Sequence, residues 1–107
     1  MANEVHKQIE EQVKSTPILL FVKGSPQAPQ CGFSKTVMDI FDELGVAYKT
    51  VDVLSDPEIR DGIKKYTNWP TIPQVFINGE FIGGCDIVRD LFFNGELEQM
   101  VKKAATK

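Results

Sequence analysis

Histidine is almost missing from this 107-residue chain, which has one, and cysteine and tryptophan are scarce at two and one. Two cysteines are too few for a secreted domain held together by disulfides. The lone His6 lies in a charged segment far in sequence from Cys31 and Cys85, which argues against a zinc site. No apolar run approaches the roughly eighteen residues that a membrane-spanning helix needs; the longest is Ile18–Val22. A strong charge of one sign is also lacking. The net charge of −3 leaves no basic footprint for DNA or RNA. The opening segment MANEVHKQIEEQVK has no apolar stretch of a secretory signal, and Glu4, Glu10 and Glu11 are out of place in an acid-poor transit peptide. The expectation is a cytoplasmic protein, or an organellar one already trimmed. No repeat, low-complexity stretch or linker divides the chain, and its length suits one core, so a single domain is expected over residues 1–107.

Apolar spacing supplies the order of elements. Val5, Ile9 and Val13 recur at helical intervals in a charged segment, and Pro17 ends that helix. Ile18–Val22 is uniformly apolar, as in a strand covered on both faces. Residues 24–30, rich in Gly, Pro and Gln, cannot be regular. Phe33, Val37, Ile40, Phe41 and Leu44 mark one face of a second helix that Gly45 is placed to end. Residues 46–53 alternate as a second strand. Asp56-Pro57 starts a third helix with the stripe Ile59, Ile63 and Tyr66. Asn78-Gly79 turns a hairpin, and helices carrying Ile87, Val88, Leu91 and Phe92 and then Leu97, Met100 and Val101 follow. The order α-β-α-β-α-β-β-α-α predicts an α/β fold, with a four-stranded mixed sheet and helices on both faces.

Cys31 follows the irregular loop and opens the second helix. Unpaired N–H groups and the helix dipole favour a thiolate there, and Lys23 offers positive charge nearby. A cysteine taken at random is more often a small buried hydrophobe, but this loop–Cys–Gly–helix setting is that of reactive thiols. Redox pairs of this kind read Cys-x-x-Cys; here the fourth position is Ser34, so no resolving thiol is at hand. Such a thiol must borrow a partner from glutathione, another protein or Cys85.

The run Lys23-Gly-Ser-Pro-Gln-Ala-Pro-Gln-Cys31-Gly-Phe-Ser34 resembles the signature of monothiol glutaredoxins, including the extended loop between lysine and cysteine. Trp69-Pro-Thr-Ile-Pro73-Gln and Gly83-Gly-Cys-Asp86 match that family in the same order, so the resemblance covers essentially the whole chain. It implies a thioredoxin-like fold with a cis Ile72–Pro73 bond, where residues alone say only that the two X-Pro pairs stiffen a turn. It also implies a glutathione site at Lys23, Arg60, Ile72, Cys85 and Asp86. Charge matching agrees. Lys23 and Arg60 suit a carboxylate, the helix start near Cys85 suits a second one, Asp86 suits the ammonium, and the Ile72 backbone suits the peptide. Taken singly, Arg60 is a solvated helix charge and Asp86 a helix cap. Lys64 and Lys65 are read as solvated. Cys85 is expected to lend its backbone rather than its thiol, the other course being a disulfide with Cys31 under oxidation.

The resemblance further implies a 2Fe–2S cluster as well as glutathione. Such a cluster takes four thiolates. One Cys31 and one glutathione from each of two chains supply them, which predicts a cluster-bridged homodimer in iron–sulfur storage and transfer. A BolA-like protein could replace one chain, and apo iron–sulfur proteins would be the clients. The rival reading is a glutathione-dependent thiol–disulfide oxidoreductase that removes glutathione from protein mixed disulfides. Both start from Cys31; the long loop and Ser34 favour the cluster.

Overall fold

Ile18–Val22 forms the first strand, β1, and all five of its residues are buried. Successive side chains of a strand point to opposite faces, so a run without polar residues needs cover on both. In this computed structural model, which describes residues 2–105, that cover comes from two separate apolar clusters. Residues 1, 106 and 107 of the expected domain lie outside the described ones. Ile18, Leu20 and Val22 join one cluster with helices α2 (Gly32–Leu44), α4 (Cys85–Phe93) and α5 (Glu96–Ala105). Leu19 and Phe21 join the other with α1 (Ala2–Ser15) and α3 (Pro57–Thr67).

The remaining strands are β2 (Lys49–Asp52), β3 (Gln74–Ile77) and β4 (Glu80–Gly83), in the sheet order β2-β1-β3-β4. β1 pairs with β2 in parallel and with β3 antiparallel, and β3 pairs with β4 antiparallel. The sheet is thus mixed and four-stranded, as the element order predicts. Asn78 and Gly79 turn the β3–β4 hairpin with φ of 54° and 84°, the positive angles that a two-residue turn of this hand requires. Asp56 caps α3, its carboxylate accepting from the N–H groups of Glu58 and Ile59, and Pro57 fills the first turn, where no N–H is needed.

Two expectations need correction. The second strand is shorter than residues 46–53, because parallel pairing begins only at Leu19 opposite Lys49. β1 starts just after Pro17, so residues 46–48 have little strand beside them to pair with. Phe33 does not join the core face of α2; it is 62% exposed. It sits in the first turn of α2, beside the opening at Cys31, and not over the sheet.

Candidate functional site around Cys31

Lys23 follows directly on β1 and hands the chain to a loop closed on itself. The Gln30 N–H donates to the Lys23 carbonyl at 2.9 Å, and Ser25 and Ala28 exchange backbone bonds inside the loop. The loop is tied to the sheet by Asp52, whose Oδ1 accepts from the N–H groups of Gly24 and Leu54, each at 2.9 Å. Gly24 has φ +94°, and a Cβ there would fall 2.5 Å from the Ala28 carbonyl oxygen. Only glycine fits that close return of the backbone. The loop delivers Cys31 as the N-cap of α2.

At the N-cap the side chain faces the N–H groups of the second and third helical residues. No regular capping bond closes on the sulfur, yet these groups hold the Cys31 thiol below its ordinary value of 9.0. The Ser34 N–H contributes most, burial opposes it, and the Phe33 N–H, the Ser34 hydroxyl and the Lys23 charge follow in that order. Lys23 is therefore the least of the influences on the thiol. Ser34 is fully buried, and its Oγ accepts from the Lys23 N–H at 3.0 Å. It occupies the place of a resolving thiol with a hydroxyl that links the end of β1 to the start of α2. The sequence alone shows only the missing cysteine there.

Cys31 opens onto a cavity of about 690 Å³, within the roughly 300–1,000 Å³ of small-molecule sites. Of the residues expected to form a site, Lys23, Cys31, Ile72, Cys85 and Asp86 all line it, brought together from three separate stretches of chain. Arg60 does not; it is exposed on α3. Lys64, one helical turn further on and set aside as solvated, lines the wall instead, while Lys65 is exposed. Phe33, Trp69, Pro70 and Ile87 add an apolar rim.

The floor is the loop before β3. The Ile72–Pro73 bond is cis, as the resemblance implies. The Ile72 side chain is buried, and its backbone takes part in no backbone hydrogen bond among the described residues. Across the cavity, Gly84 is the N-cap of α4 and offers no capping side chain. The N–H groups of the first turn of α4 are left as a site for an anion. Asp86 lies within that first turn and is not the cap. Cys85 is buried at the helix start, and burial pushes its thiol up; Arg89 opposes the rise, while Asp86 and Cys31 add to it. Both cysteines are free. Among the described residues, no group of three or more His, Cys, Asp or Glu side chains is placed to hold a metal ion. Nor is any described helix long and apolar enough to cross a membrane.

Known proteins resemble this chain in sequence and in fold. The glutaredoxin family profile matches residues 18–82. A monothiol glutaredoxin (ycf64-like) of Synechocystis is 50% identical over 104 residues, 97% of each chain. The solution structure of reduced poplar apo GrxS14 matches with a TM-score of 0.82 at 42% identity, over 94% of this chain and 93% of that one. The crystal structure of a buckwheat glutaredoxin–glutathione complex matches with a TM-score of 0.87 at 29% identity, over 97% and 93%. The fold is the thioredoxin-like fold of these proteins, and the chain belongs to the glutaredoxin family, in its monothiol branch.

Proposed function

We propose that this chain binds glutathione beside Cys31 and uses the two thiols together to hold and pass on a 2Fe–2S cluster. The observation that carries the reading is the cavity itself. It sets one accessible, acidified thiol among two lysines, an uncapped helix start and an unpaired peptide group. Glutathione has two carboxylates, an ammonium, a peptide backbone and a thiol. Lys23 and Lys64 suit one carboxylate, and the exposed Arg60 stands one helical turn before Lys64. The N–H groups of α4 suit the other, Asp86 the ammonium, and Ile72 the peptide. Cys85 contributes its backbone. The buckwheat relative was crystallised with glutathione, which supports the same ligand class here.

The cluster follows from ligand counting. A 2Fe–2S centre takes four thiolates, and this chain fits one corner. Cys31 is acidified and open, whereas Cys85 is buried and held as a thiol. Glutathione supplies a second ligand and a second copy of the chain the other two, which makes a homodimer dependent on its cluster. The cluster is cargo, bringing iron and sulfide for apo iron–sulfur clients; a BolA-like protein could take the place of one chain. The whole domain, residues 1–107, acts as one carrier in a reducing compartment such as the cytoplasm.

The acidified thiol also favours a second reading, glutathione-dependent disulfide exchange. The Cys31 thiolate attacks the glutathionyl sulfur of a protein mixed disulfide, the client leaves as a thiolate, and a second glutathione thiolate then displaces Cys31 as oxidised glutathione forms. Anaerobic reconstitution with iron, sulfide and glutathione separates the two. A brown dimer that needs glutathione and bleaches to a colourless monomer establishes the carrier. A colourless monomer that rapidly reduces glutathione mixed disulfides establishes the oxidoreductase.

A further inference from the structure

Gln74, the first residue of β3, is a polar side chain with none of its surface exposed. A buried amide is tolerated only if its donors and acceptor are met. Gln74 meets all of them, and in one direction. Its Nε2 donates to the carbonyl oxygens of Trp69 at 3.0 Å and Thr71 at 3.2 Å. Its Oε1 accepts from the Thr67 hydroxyl at 2.9 Å, whose one proton is shared with the Ile63 carbonyl at 3.0 Å. The amide cannot be reversed, because its oxygen would then face two carbonyl oxygens with no proton between them. Both donors therefore hold residues 69–71 of the cavity floor. Among the described residues, the backbone of that floor has otherwise one tie to other backbone, from the Trp69 N–H to the Lys64 carbonyl at 3.1 Å. Ile72 comes directly after the second carbonyl that Gln74 grips, and among the described residues its own N–H and C=O are unpaired by other backbone.

We propose that Gln74 is a positioning residue for the ligand's main chain: its amide sets the Trp69–Pro73 backbone so that the Ile72 peptide group is presented to the tripeptide. This rests on the glutathione reading above. Gln74 touches no ligand; it acts through Trp69 and Thr71. Removing its amide takes from the Trp69 and Thr71 carbonyls the donors that hold them, and the floor, freed of both ties, shifts.

The test is a titration of the reduced, isotope-labelled chain with reduced glutathione, followed by NMR, for the parent and Gln74→Met, together with the pH titration of the Cys31 thiolate. Methionine keeps the length and burial but can make none of the three bonds. The expected result is glutathione affinity weakened about tenfold or more with the Cys31 titration unmoved, because α2 and Ser34 are untouched. Unchanged affinity overturns the proposal. So does a Cys31 titration that moves along with affinity, since that marks general loosening rather than positioning. If Gln74→Met does not fold, Thr67→Val, which removes only the Oε1 anchor, is read by the same two criteria with a smaller loss. A parent chain whose resonances ignore glutathione would defeat the glutathione reading itself, a different outcome from either.

Discussion

The two helix starts that meet at the cavity each carry a cysteine, and their thiols are driven in opposite directions. Cys31 is held below its ordinary value and Cys85 above it. Both feel the positive end of a helix dipole, so the dipole alone does not make a reactive thiol. Position within the cap decides. Cys31 is the N-cap of α2, where the N–H groups of Phe33 and Ser34 can turn toward its sulfur. Cys85 is one residue further in, with glycine as the N-cap, and its side chain is buried in the cluster under α4. There the loss of water outweighs the dipole and Arg89. One residue of register separates a thiol held below its ordinary value from a buried one held above it.

The largest effect expected from breaking this contrast is a complete one. Cys31→Ser should abolish alkylation at neutral pH and all cluster colour while the fold persists, since serine is a better N-cap than cysteine. Cys85→Ser should keep the reactivity and the colour, losing only stability, by about 1–3 kcal/mol for a hydroxyl placed in an apolar cluster. Alkylation rates, the visible spectrum and thermal melting of the two variants check this. Colour surviving in Cys31→Ser, or lost in a folded Cys85→Ser, would reverse the roles.

A smaller effect separates the parts of the Cys31 environment. Ser34→Ala removes a hydroxyl that favours the thiolate and leaves the Lys23 N–H without its acceptor. The Cys31 pKa should rise yet remain below 9.0, because the Ser34 and Phe33 N–H groups stay. Stability should fall by roughly 1–3 kcal/mol for the orphaned donor. Lys23→Ala should raise the pKa less, its charge being the least of the causes, while weakening glutathione binding more than Ser34→Ala does. The pH dependence of alkylation and a glutathione titration measure the two quantities. A larger pKa rise in Lys23→Ala would make charge, not hydrogen bonding, the main source of acidity.

How much of this is legible in the chain follows from the range of the interactions. Asp56-Pro57, Asn78-Gly79 and the Val5, Ile9, Val13 stripe state their structure within a few residues, and all three hold. Cys31 at a helix start is equally local. Phe33 has the right spacing for the core face of α2 but lies in its first turn, where the helix meets the cavity, and spacing does not say where a covered face ends. Arg60 and Lys64 are four residues apart on α3, and which one reaches the cavity depends on how α3 is set against the sheet. Ser34 with Lys23 and Asp52 with Gly24 pair across 11 and 28 residues. Gln74 bonds more locally, to two loop carbonyls and the Thr67 hydroxyl. No periodicity or motif encodes such bonds, so the residues that hold the site are the ones the sequence hides.

The same contrast has a finer consequence in the pH dependence of folding. An acid whose pKa is lowered by folding binds fewer protons in the native state than in the unfolded state, and stability then rises with pH between the two values. Cys31 should therefore add stability as pH climbs from its lowered value to 9.0, and nothing more beyond. Cys85 has the opposite sign: its native state holds the proton more tightly, so its contribution is complete below 9.0 and is lost as pH rises above it. Tyr48 adds to that loss higher up, pushed to about 12 by burial and its hydrogen bond to Asp42. Each thiol's slope stays under roughly 1.4 kcal/mol per pH unit, and partial exposure of Cys31 keeps its own well below that. Urea unfolding between about pH 6 and 11 isolates them by difference. Parent minus Cys31→Ser should climb up to pH 9 and then level, and parent minus Cys85→Ser should be level and then fall. Two differences with the same slope would mean that the two helix starts acidify their cysteines alike, and the register argument would fail.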